Sequence, residues 1–184
     1  MREAQRLRRL ALRYLDLHHT MILSTASGSS PWATPLFYAN DGFILYFVSD
    51  PSTLHAANIA CNPNVAVAIT ENHRDHRRIR GVQLEGTAEL LSSPEDLERA
   101  LKLYIKKFPS PSVARYLRSM EILPSELKAY LEAFLASTAP SSPLRASKAR
   151  FYRIVPRRLW YTDNRRRLHK KEVPIDDKGG DLRS

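Results

Sequence analysis

The chain has 184 residues, 43% of them hydrophobic, which suits one domain with a real core. A single cysteine, Cys61, excludes an internal disulfide and argues against structural zinc, so a reducing cytoplasm is the expected compartment, and no stretch is apolar enough to span a bilayer. Lys and Arg number 29 against 19 Asp and Glu, and the formal charge of +10 predicts attraction to polyanions or phosphate-bearing ligands without distinguishing them.

Residues 1–19 read as a helix, with Leu7, Leu10, Ala11, Tyr14 and Leu15 at helical spacing and arginines on the other faces. Such a basic amphipathic helix could lie on a membrane or nucleic acid, but the favoured reading is cover of one end of a sheet with a solvated basic face. From Thr20 the period changes: "TMILSTAS", "PWATPLFYAN" and "GFILYFVS" predict three antiparallel strands, with "GSSP" and "NDG" as the turns between them. The stretch "SDPSTLHAANIACNP" then predicts a Ser/Thr-rich turn, a short helix and an Asn-Pro stop. Ser49, Ser52, Thr53 and His55 gather at the mouth of that helix, where a cap by Ser52 or Thr53 and a seat for a phosphate are both open. Cys61 at the helix end reads as a buried, inert thiol.

"NVAVAIT" predicts a fourth strand and "RIRGVQLEGTAELL" a fifth, in which Gly86 interrupts the alternation as a bulge or corner would. A helix capped by Ser93 follows, with Pro94 in its first turn and the stripe Leu97, Ala100, Leu101, Tyr104, Ile105, Phe108. "PSELKAYLEAFLAS" repeats the pattern over residues 124–136, and the Ser/Pro-rich link after it reads as a mobile loop. "ARFYRIVPRRLWYTDN" returns to strand character so late that it must pair with strands far back, which suits a barrel. The basic tail from 164 to 184 reads as polar and fraying. No G-x-G-x-x-G, P-loop, H-E-x-x-H or G-x-S-x-G stretch is present, and no metal site is expected.

Five motifs in order, "TLHA", "NPNVA", "IRGVQLEGTA", "YIKKFP" and "WYTDNRRRLHKK", give the chain a resemblance to the flavin-binding split-barrel proteins typified by pyridoxamine 5'-phosphate oxidase, nearest their small uncharacterised bacterial branch. The likeness spans about residues 20–109 and 150–171. It implies a mainly β fold with flanking helices (α+β), a six-stranded antiparallel split β-barrel over residues 20–163, with a helical insertion at about 110–149. It also implies FMN as cofactor, a homodimer that shares the flavin site, and oxidoreductase activity on a reduced nicotinamide or other small molecule.

Carried over position by position, the resemblance places Thr34, Pro35 and Leu36 along the isoalloxazine edge. Val48, Ser49, Ser52, Thr53 and His55 would surround the ribityl chain and phosphate, and Gln83 would contact the flavin. Leu54 stands where the bacterial branch has arginine and His55 where the oxidases have lysine, so positive charge at the phosphate depends on Arg78 or Arg80 reaching in. No side chain is singled out as a catalytic acid or base. The same barrel holding haem or a deazaflavin is an alternative. So is a nucleic-acid-binding small barrel, drawn from "HRDHRRIR" and from "RRRLHKK" beside Trp160, Tyr161 and Tyr152. The apolar runs "FILYFVS" and "NVAVAIT" ask for cover on both faces, which a second subunit would supply, with Trp32 or Trp160 near the interface.

Overall fold

In the computed structural model, which describes residues 2–136, 146–166 and 168–175, α1 (Arg2–Leu17) buries the face carrying Leu7, Ala11, Tyr14 and Leu15 against the barrel interior. Arg2, Arg6, Arg9 and Arg13 turn outward, so the helix covers the sheet with a solvated basic face. Its end is tied down twice: Tyr38 Oη donates to Leu15 O at 2.8 Å and Lys107 Nζ donates to the same carbonyl at 2.9 Å. Among the described residues no helix is long and apolar enough to cross a membrane.

The strands alternate as the sequence pattern predicts. β1 (Thr20–Ser27) and β2 (Ser30–Phe37) form a hairpin through Gly28, and β3 (Ala39–Asp41) and β4 (Ile44–Ser49) form a second through Gly42. Both glycines carry positive φ, 56° and 58°, which L side chains rarely adopt. With β5 (Asn64–Thr70), β6 (Arg80–Leu90) and β7 (Arg150–Asp163), the antiparallel order is β2-β1-β5-β6-β7-β4-β3, and β8 (Leu168–Glu172) pairs with the second half of β7. Short 3₁₀ turns occupy His76–Arg78 and Asn164–Arg166.

The sheet therefore has eight strands where six were expected. The run "PWATPLFYAN" breaks at Tyr38, whose buried side chain turns in to reach Leu15, and leaves β3 as a separate short strand. β8 arises inside the stretch read as a fraying tail. β4 pairs only with Arg150–Ile154, so the far half of β7 has an open edge, and β8 fills it with Val173 buried and Val173 N bonded to Leu159 O at 2.8 Å. Residues 176–184 of that tail and 137–145 of the Ser/Pro-rich link lie outside the described residues.

Gly86 marks the register shift between β6 and β7, as the broken alternation predicts. A Cβ there would stand 2.2 Å from Val155 O, a contact no side chain survives. α2 (Leu54–Cys61) plugs the barrel end with Ala56 and Ile59, and Asn58 Nδ2 donates to Thr25 Oγ1 at 3.1 Å. Cys61 is exposed rather than buried. It falls off the stripe of His55, Ala56, Asn58 and Ile59 that α2 turns inward.

A second core lies on the outside of β3, β4 and the start of β7. α3 (Pro94–Lys107), α4 (Pro111–Arg118) and α5 (Ser125–Leu135) pack Leu97, Leu101, Tyr104, Leu117 and Leu131 against Tyr46 and Phe151. Ser93 caps α3, its Oγ accepting from Asp96 N at 3.1 Å. β4 is thus buried on both faces, as its apolar run requires, but by helices of its own chain rather than a second subunit. β5 is covered on one face only: Val65, Val67 and Ile69 turn in, while Ala66 and Ala68 point outward.

Candidate functional site

β4 ends at Ser49 and α2 begins at Leu54, so Asp50 to Thr53 form the helix mouth. Thr53 occupies the N-cap position in extended backbone, yet its hydroxyl makes no cap bond. It turns back to donate to Asp50 O at 2.8 Å and lies 3.1 Å from His55 Nε2. Ser49 Oγ stands 2.6 Å from the same nitrogen and 3.2 Å from Thr53 Oγ1. Since the Thr53 proton is committed to Asp50 O, its hydroxyl can only accept from His55 Nε2, which it shares with Ser49 Oγ. Burial lowers the imidazole pKa, which keeps the ring neutral.

Asp50 completes the turn. Its Oδ1 accepts from Ser52 N at 2.8 Å and from Ser52 Oγ at 2.7 Å. Those two bonds hold its carboxyl below the ordinary carboxylate range, and the charges of Lys148 and Arg150 lower it further. The β4–β7 register, with Ser49 opposite Arg150, is what brings those two cations to the mouth. The mouth therefore carries one anion and two cations around a helix start whose amides Thr53 leaves uncapped.

The residues read from the sequence fall into separate places. Ser49, Ser52, Thr53 and His55 come together at the mouth. Val48 belongs to the same strand, but its side chain packs on the helical core. On β2, Leu36 packs against the barrel core and Pro35 is exposed, while Thr34 Oγ1 is buried with no hydrogen-bond partner. Gln83 is exposed on the outer face of β6, in a row that the register builds from Pro35, Ile22, Ala68, Gln83 and Trp160. Arg80 does not reach the mouth: it pairs with Asp163 at the far end of β7 and its guanidinium bonds Glu71 at 2.5 Å. Arg150 and Lys148 take that place instead. Nothing local in the sequence singles them out, because a pairing across about 100 residues puts them there. Asp50 was legible, since Asp-Pro-Ser is a turn signal. Tyr152 and Tyr161 are buried, which removes two of the three aromatics offered as base-stacking platforms.

The sequence profile of the pyridoxamine 5'-phosphate oxidase family matches residues 9–130. The chain belongs to that family. Within it the chain sides with the small bacterial branch: a UPF0306 protein of Photorhabdus laumondii is 31% identical over 99 residues, which cover 53% of this chain and 68% of the relative. The fold recurs in a conserved hypothetical protein of Mycobacterium tuberculosis, with TM-score 0.60 and 22% identity over 85% of this chain and 84% of the other. It recurs also in a haem binding protein of Mycobacterium smegmatis, with TM-score 0.62 and 17% identity over 92% of this chain and 57% of the other. At those identities the likeness to the two solved structures is one of fold. The pyridoxamine 5'-phosphate oxidase barrel here differs from its expected form in the added strands β3 and β8.

Proposed function

We propose that the protein is an FMN-binding flavoprotein, an oxidoreductase that passes electrons between a small substrate or reduced nicotinamide and the flavin, and that it works as a homodimer in the cytoplasm. The observation that carries this reading is the α2 mouth: uncapped helix amides beside Ser49, Ser52 and Thr53, with Lys148 and Arg150 outweighing Asp50. These residues fit a phosphate. Bound flavin supplies the two-electron chemistry, and the chain positions it.

The chain's own work is binding. Helix amides and the two cations hold the phosphate, while neutral His55 fixes the Ser49 and Thr53 hydroxyls without adding charge. Thr34 Oγ1, buried and lacking an acceptor or donor, and the Pro35 backbone line the isoalloxazine edge from β2, with Leu36 behind them. Val48 contributes through its main chain. Gln83 lies ten residues along β7's ladder from the Arg150 level, on the order of 30 Å at strand rise, which supports a site completed by the Gln83 of a second copy.

The haem alternative is less well supported, because His55 Nε2 is already bonded to Ser49. The test is the absorption spectrum of the purified protein, followed by Ser52→Asp. An FMN spectrum in the parent and its loss in the variant is the expected result, since the new carboxylate faces the phosphate. A haem or deazaflavin spectrum, or equal FMN content in both proteins, refutes the assignment. Sedimentation of an FMN-loaded, stable monomer of about 21 kDa refutes the shared site.

A further inference from the structure

At the far end of β7 from the α2 mouth, a cavity of about 210 Å³ opens between α1 and the barrel. Four guanidinium groups line it: Arg13 from α1, Arg80 from the start of β6, and Arg165 and Arg166 from the 3₁₀ turn after β7. One carboxylate lines it, that of Asp163, which is 1% exposed and shared by Arg165 Nε at 3.2 Å and Arg166 Nε at 3.4 Å. Glu71 stands behind Arg80 and neutralises one more charge, which leaves a net excess of two cations at the cavity. Arg13 has no ion pair among the described residues, and Arg80 Nε is buried with no hydrogen-bond partner. An unmet guanidinium donor on a residue that lines the cavity asks for an acceptor of negative charge.

We infer that this cavity is a second ligand site, one that takes the phosphate group of a small organic phosphate. Guanidinium forks match phosphate oxygens two at a time, and four of them around one cavity exceed what the single lining carboxylate needs. Leu10, Leu17 and Tyr14 of α1 also line it, so the phosphate carries a compact apolar body. The volume is below that of typical drug-sized pockets, which sets the scale at a small metabolite. The site is separate from the α2 mouth. Ser49 pairs with Arg150 and Arg80 with Asp163, so the two ends are thirteen residues apart along one strand, on the order of 40 Å at strand rise.

The wall is built to stay in place. Tyr14 Oη donates to Arg80 O at 3.1 Å, the Arg80 guanidinium lies over the Tyr14 ring at 5.7 Å, and His18 stacks on that ring at 3.8 Å. Glu71 then bonds both His18 Nε2, at 3.0 Å, and Arg80, at 2.5 Å. α1 is thereby locked to β6 with the arginines facing the cavity.

The test is a ³¹P NMR titration of the full chain with inorganic phosphate, repeated with phenyl phosphate. The parent is expected to bind both, phenyl phosphate the tighter. The double variant Arg13→Ala/Arg166→Ala, which alters two exposed side chains, weakens binding at least tenfold, and Arg80→Gln does the same. The titrations are run with FMN in saturating excess so that the α2 mouth is filled, and Lys106→Ala, an exposed cation on α3 away from both sites, leaves binding within twofold. Three results overturn the site: no binding by the parent below roughly 10 mM, binding retained in the Arg13/Arg166 variant, or binding that FMN abolishes, which would place it at the α2 mouth.

Discussion

The two ends of β7 hold polar groups in opposite ways. At the Arg150 end, Ser49, Thr53, His55 and Asp50 satisfy one another within six residues of chain, and the ring among them is neutral. At the Asp163 end, arginines from α1, β6 and the terminal turn crowd one carboxylate and leave a buried guanidinium nitrogen without a partner. The first arrangement is local and reads from the sequence as a turn. The second is assembled from segments some 150 residues apart and has no local signature. A formal charge of +10 does not say whether the cations cluster; the fold decides that, and where.

The strongest way to break this contrast is at Gly86, whose bulge sets the offset between β6 and β7 and so holds both ends in place. Gly86→Ala drives a methyl into Val155 O, and the expected loss is about 3–5 kcal/mol in urea unfolding, or failure to yield folded protein. A variant as stable as the parent would show that neither end depends on the offset. A smaller effect separates the ends electrostatically. Asp50→Asn keeps an acceptor for Ser52 while removing the mouth's one negative charge, so FMN should bind roughly three- to tenfold tighter, with phosphate binding at the Asp163 end unchanged. Looser FMN binding would show that the carboxylate serves the ligand directly.

The smallest effect is one of pH. Burial lowers the His55 pKa, so between that value and the ordinary 6.5 the unfolded chain binds more protons than the folded one. Stability is complete above this window and falls as pH drops through it. Melting temperature measured from pH 7 to pH 5 should decline, and His55→Gln should flatten the decline. An unchanged slope would mean that the ring is protonated in the fold and that the mouth is not neutral.

The same difference between local and distant determination explains what the sequence disclosed. The hairpins at Gly28 and Gly42, the Ser93 cap and the Gly86 bulge each rest on chemistry within a few residues, and each was legible. β8 was not, because "LHKKE" has no strand pattern of its own and pairs only because β4 stops short at Ile154. α4 is eight residues long and shorter than a period can establish. The apolar run of β4 points to a partner for its cover because α3 to α5 reveal their docking only once β3 and β4 are placed. At the mouth, the hydroxyls and His55 were legible and the cations were not. Lys148 lies just before, and Arg150 begins, a strand whose register with β4 no local pattern encodes.

That register has a consequence during synthesis. β4 and β6 leave the ribosome with the edges that will face β7 unpaired, and β7 follows Ser49 by more than a hundred residues. At roughly 5–20 residues per second the nascent chain waits on the order of ten seconds before its barrel can close. Through that interval β4 needs α3 to α5 as a shield for its outer apolar face. Those helices are encoded between β6 and β7, so they emerge during the wait itself.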